Sequence, residues 1–147
     1  MPLSSLRRLA ACALLALACF APAPAAASEA AIRDTLTRWT DDFNARRADR
    51  ICDLFATDLR YDYRGFPERG YRELCDLLQR SLSDPQRGFS YALDIKDIIV
   101  SGDFAAVQLV WTLTVNTSAA TTRTQEYGLD LFRRQVDGSW KIVLSRV

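Results

Sequence analysis

Gly128-Leu-Asp-Leu-Phe-Arg-Arg-Gln-Val-Asp-Gly-Ser-Trp-Lys-Ile-Val-Leu-Ser-Arg-Val147 decides the fold. Leu129 and Leu131 alternate with Asp130 and Phe132, so this part is a strand. Asp137-Gly138 is a turn, because an Asp-Gly pair between alternating runs favours a tight hairpin connection. Trp140, Ile142 and Leu144 then form a return strand. Asp130 lies in the middle of an otherwise largely apolar strand. A carboxylate there faces either solvent or a buried pocket.

Working outward, the alternation continues upstream. Phe89, Tyr91, Leu93 and Ile95 mark one strand, and Ser101-Gly102-Asp103 is a turn. Val107, Leu109, Trp111, Leu113 and Val115 share one face of the next strand, and Asn116 to Thr121 is a polar loop. Before this β region the period changes. Ile32, Leu36, Trp39 and Phe43 recur at helical spacing, which predicts a helix over 28–47 with Ser28 as its N-cap. Asp49 is expected to cap a short second helix carrying Ile51, Leu54 and Phe55. A strand follows over 59–64, with Tyr61 and Tyr63 on one face. A third helix over 70–82 carries Leu74, Leu77, Leu78 and Leu82 and ends at Asp84-Pro85. Three helices followed by an antiparallel meander predict an α+β domain with helices on one sheet face.

The N-terminus carries a targeting signal: Arg7 and Arg8, a short apolar run from Leu9 to Phe20, and Ala25-x-Ala27 at its end. The apolar run falls short of the ~20 residues that span a bilayer. The expectation is a signal peptide over 1–27, a single domain over 28–147, a periplasmic or secreted location, and no stable membrane anchor after processing. Processing removes Arg7 and Arg8 from nineteen basic residues and none of the eighteen acidic ones, so the net charge passes from +1 to −1. That balance argues against a nucleic-acid partner. Two cysteines survive processing, Cys52 and Cys75, both expected on helices. In an oxidising compartment they form either a disulfide or two packed thiols.

The chain has no histidine. Ser-His-Asp and Cys-His catalysis and His-ligated zinc are therefore excluded, and no metal or cofactor site is expected. Any general acid or base must be a carboxylate, Tyr, Lys or Cys.

Four stretches together carry a family resemblance: the Ile32/Leu36/Trp39/Phe43 stripe, Ile51-Cys-Asp-Leu-Phe-Ala-Thr-Asp58 before a strand, Gly70-Tyr71 opening a helix, and Phe132-Arg-Arg-x-x-Asp137-Gly-Ser-Trp-Lys-Ile142. In their order and spacing they resemble the nuclear transport factor 2-like (NTF2-like) superfamily, in its SnoaL-like and ketosteroid isomerase-like branch. The resemblance covers the whole of 28–147. It implies a cone: three N-terminal helices packed on a strongly curved antiparallel sheet, with a pocket at the wide end. The superfamily includes isomerases, cyclases, dehydratases and members that only bind. Matched to ketosteroid isomerase, Tyr63 stands at the position of the general base, Trp39 at that of the oxyanion tyrosine, and Asp130 at that of the aspartate kept protonated. No complete catalytic set results.

Asp130 is the candidate acid, either a functional carboxyl in the cone or a structural one paired across the sheet. Trp39, Tyr61, Tyr63, Asp130 and Phe132 are the candidate ligand contacts. Three functions stay open. One is a pocket for a small apolar molecule. Another is an isomerase, cyclase or dehydratase using Asp130 with a Tyr63 network. The third is a homodimeric interaction subunit acting through its sheet, with Trp111, Leu113 and Tyr127 as the expected patch.

Overall fold

A computed structural model of the chain describes residues 24–147. Most of the expected leader, residues 1–23, lies outside the described residues. Helix α1 (Ala25–Asn44) starts directly after Pro24, whose fixed φ and extended ψ of 144° turn the chain into the helix. Ser28 is therefore a buried residue of the first turns and not the cap. Ile32, Leu36, Trp39 and Phe43 form the buried face, as their spacing requires.

Arg46 ends this helix in the left-handed region, at φ 58°. Its guanidinium donates to the carbonyls of Leu82, at 2.6 and 3.0 Å, and of Asp84, at 2.9 Å. One arginine thus terminates α1 and satisfies the free carbonyls at the end of α2 (Tyr71–Ser83).

The expected short helix at Asp49–Phe55 does not form. The segment is a run of tight turns, in which Arg50, Asp53 and Phe55 each donate to the carbonyl three residues back. The competing bonds are tertiary. The Ile51 carbonyl accepts the Trp39 indole N–H at 2.8 Å, and the Leu54 carbonyl accepts the Ile142 amide at 2.9 Å. The fold therefore has two helices, not three, and Cys52 lies in a turn rather than on a helix. It is bonded to Cys75 on α2, with the Cα atoms 5.6 Å apart, inside the usual range for a bridge.

The strands are β1 (Phe55–Asp62), β2 (Arg69–Gly70), β3 (Gly88–Ser101), β4 (Phe104–Asn116), β5 (Thr121–Arg134) and β6 (Trp140–Arg146). They form one sheet in the order β2-β1-β6-β5-β4-β3. Four neighbouring pairs are antiparallel, but β1 and β6 run parallel. The all-antiparallel expectation fails there because the chain's first long strand docks beside its last. The quoted hairpin forms, with Gly138 at φ 85° in its turn, but the alternation of its return strand breaks at Val143: Trp140 and Ile142 face the core, and then Ser145 does rather than Leu144.

Two register shifts bend the strands, one at Lys96 in β3 and one at Val143 in β6, which is passed over where Leu131 and Phe132 pair with Leu144 and Ile142. The first lets the inward alternation resume at Ile98 and turns Ile99 to solvent. Both helices cover one face of the sheet. The core between them holds Val107, Leu109, Trp111, Phe132 and Ile142.

Trp111 is buried, and Leu113 lines an inward cavity. Neither belongs to the outer face. Of the expected dimer patch only Tyr127 points outward, 71% exposed, beside Leu129 and Ile99.

Candidate functional site

Residue 130 faces the core because β5 alternates. Its cross-strand neighbours are Val107 on β4 and Ser145 on β6. Asp130 is 2% exposed, and its Oδ1 has no hydrogen-bond partner. Burial pushes its carboxyl up to about 7, and the Ser145 hydroxyl offsets part of that effect.

Asp130 borders a small inner chamber of about 50 Å³, walled by Trp39, Phe55, Tyr61, Tyr91, Trp111 and Glu126 among others. A space that size admits a few waters or one small polar group, not a whole ligand. The chamber adjoins an outer vestibule of about 310 Å³, and Tyr61, Leu74, Leu78, Tyr91 and Glu126 line both. The vestibule is within the usual size range of small-molecule sites.

The aromatic residues form two clusters. Trp39 lies 5.3 Å from Phe43 and 5.3 Å from Trp111 between ring centroids, and Tyr91 lies 4.9 Å from Phe43. Tyr61 and Tyr63 stack at 6.3 Å, and Tyr63 lies 5.5 Å from Phe66. Glu126 sits where the chamber meets the vestibule. The Tyr63 hydroxyl donates to it at 3.4 Å and the Tyr91 hydroxyl at 3.5 Å. Burial raises the Glu126 carboxyl above its ordinary range, and these two hydroxyls pull it back. Burial also raises the tyrosines at 61, 63 and 91, with the Glu126 charge adding to the shift. They therefore stay neutral donors at physiological pH.

The residues nominated from sequence separate into three groups. Asp130 and Tyr61 line the inner chamber, and Tyr61 and Tyr63 line the vestibule. Trp39 lines the chamber with its ring, but its only donor is committed to the Ile51 carbonyl. It can supply surface and no hydrogen bond. Phe132 is wholly buried in the core between Ala105 and Ile142, and it borders neither space.

Glu126 and Tyr91 were not nominated. The signal for Glu126 was present, since it shares a strand face with Asp130 and only Gly128 intervenes. A Cβ at residue 128 would lie 3.1 Å from the Leu109 side chain, so glycine lets buried Leu109 pack closely between the two acids. Tyr91 alternates inward on β3. Its pairing with a residue on β5 needed the strand order to be seen. Among the described residues, no three His, Cys, Asp or Glu side chains gather as a metal site.

Solved structures share this architecture. A conserved protein from Planctomyces limnophilus superposes with a TM-score of 0.77 at 17% identity, covering 83% of this chain and 95% of its own. A ketosteroid isomerase-like protein from Erwinia carotovora atroseptica gives a TM-score of 0.66 at 23% identity, covering 80% of this chain and 92% of its own. A candidate scytalone dehydratase from Novosphingobium aromaticivorans gives 0.68 at 21% identity, covering 82% and 83%. At these identities the likeness is one of fold. No curated protein matches the sequence at a comparable level. The SnoaL-like domain family matches residues 36–143, from the middle of α1 into β6. This chain belongs to the SnoaL-like domain family.

Proposed function

We propose that this domain is exported and binds a small, largely apolar molecule. The vestibule would hold its body, and one hydrogen-bond-accepting group would reach Asp130. The supporting observation is the buried Asp130 carboxyl, whose Oδ1 is unpartnered beside an aromatic-walled space. An unpaired buried polar atom is costly, so a ligand that pairs it gains more than the bond alone. The protonated form, which dominates below about pH 7, donates to a carbonyl. The leader and the Cys52–Cys75 bridge support export to an oxidising compartment.

The probes are 2-acetylnaphthalene and 2-isopropylnaphthalene, which have similar shape and differ in the carbonyl. Tryptophan fluorescence reports binding, since Trp39 and Trp111 wall the chamber. The acetyl compound should bind about tenfold tighter at pH 6. That preference should vanish in Asp130→Leu, which cannot donate. Equal binding of the two compounds by the wild-type protein would defeat the reading.

Two further readings have specific support. A carboxyl near 7 is suited to donate and accept protons at working pH, which supports an enzyme of the isomerase, cyclase or dehydratase type. The exposed Ile99, Tyr127 and Leu129 on the outer sheet face support a homodimer through that face. Leu129→Arg should then halve the mass measured by light scattering at micromolar concentration, with an unchanged circular dichroism spectrum. A wild-type protein already monomeric under those conditions would rule the dimer out.

A further inference from the structure

The vestibule carries an electrostatic feature that an apolar ligand alone does not use. Six aromatic rings contribute to its wall, from Phe43, Tyr61, Tyr63, Phe66, Phe89 and Tyr91. Its one carboxylate is Glu126, half-buried at the inner end. Among the described residues, no Lys or Arg pairs with Glu126. Its partners are two neutral tyrosine hydroxyls at 3.4 and 3.5 Å, long for hydrogen bonds to a carboxylate. A partly desolvated acid without a counter-charge, set among aromatic faces, matches the chemistry that recognises organic cations.

We infer that the vestibule selects hydrophobic ammonium compounds, with the cationic nitrogen seated on the tyrosine rings beside Glu126 and the apolar body along Leu74, Leu78 and Leu113. This ligand class rests on the pocket reading above and narrows it. The carboxylate supplies the neutralising charge, and the faces of Tyr61, Tyr63 and Tyr91 supply the attraction of their ring quadrupoles. Strongly hydrated ammonium ions with no apolar body gain little from such walls, so the site favours bulky or quaternary amines.

The one basic side chain at the vestibule is Arg69. Its guanidinium sits 5.4 Å from the centroid of the Phe66 ring. It does not pair with Glu126, and its charge also reaches Tyr61, so it weakens the pull on a second cation at that side of the vestibule.

The test uses benzyltrimethylammonium and its neutral isostere neopentylbenzene, titrated into the purified, oxidised protein at pH 8. There Tyr61, Tyr63 and Tyr91 are neutral, since burial raises all three hydroxyls, and the high pH favours the charged form of Glu126 that burial opposes. The cation should bind about tenfold tighter than the isostere. Glu126→Gln keeps the side-chain shape and the partner hydroxyls. It should cost the cation about tenfold and leave the isostere unchanged. Cation affinity should also fall as pH drops, and more steeply in the wild-type protein than in Glu126→Gln, where Asp130 is the one carboxyl of the two that still titrates. If the isostere binds as well as the cation and Glu126→Gln affects neither, the ammonium class is overturned while the pocket reading stands. If neither compound binds, and the naphthalene probes also fail, both are overturned.

Discussion

From pH 4 to pH 8 the wild-type protein should lose stability that Asp130→Asn retains. Burial raises the Asp130 carboxyl from 3.8 to about 7. The unfolded chain releases this proton near pH 4, whereas the folded chain holds it until about pH 7. Within that window the native state binds more protons, so unfolding becomes easier as pH rises, and the effect is complete above pH 7. The shift of roughly three pH units corresponds to about 4 kcal/mol at most.

Glu126 is raised as well and acts in the same direction. Asp58, Glu68 and Asp137 are lowered, but their contribution is lost only below the ordinary carboxylate range, outside this window. Asparagine cannot ionise and closely matches the neutral carboxyl in shape. Near pH 4 the two proteins should melt together. By pH 8 the variant should melt higher by about 10 °C. Differential scanning calorimetry across the range decides this. Parallel curves for the two proteins would mean that Asp130 carries its charge at no cost, and the burial argument would fail.

Loss of the Cys52–Cys75 bridge should cost about 3 kcal/mol in the chain-entropy model for residues 23 apart. The bridge joins the turns before β1 to α2, two segments that flank the pocket through Leu54 and Leu74. No hydrogen-bonded ladder connects them; besides side-chain packing they share the hydrogen bond from the Gln79 amide to the Ala48 carbonyl and those from Arg46 to the Leu82 carbonyl, and the covalent link adds to these restraints. In urea, the Cys52→Ala/Cys75→Ala variant should unfold about 2 M earlier than the oxidised wild-type protein. Reducing the wild-type protein should reproduce the drop, and the variant should not respond to reductant. Denatured, unreduced wild-type protein should expose no free thiol from either residue. Coincident unfolding curves for the three samples would mean that the two cysteines are only packed.

Several elements follow from local sequence alone. The α1 stripe, the Asp137-Gly138 turn, the inward direction of Asp130 and most of the α2 stripe derive from periodicity, because side-chain direction is set within a few residues by backbone geometry. On α2 Leu74 and Leu82 are buried as expected, but Leu77 is exposed and Cys75 takes the inward place. The same alternation placed Glu126 and Asp130 on one face, and Tyr127 and Leu129 on the other. The absence of histidine limited the chemistry without any structure.

Other features depended on partners distant in the chain. Residues 49–55 have helical apolar spacing, yet their carbonyls are taken by Trp39 and Ile142, and those bonds form only once α1 and β6 are in place. The parallel pairing of β1 with β6 and the commitment of the Trp39 indole N–H have the same origin. So does the meeting of Tyr63 and Tyr91 at Glu126, which joins residues from separate parts of the sheet at one point. Periodicity determines which way a side chain points. Which groups it meets, and whether burial leaves them paired, is decided by tertiary contacts between segments far apart in sequence.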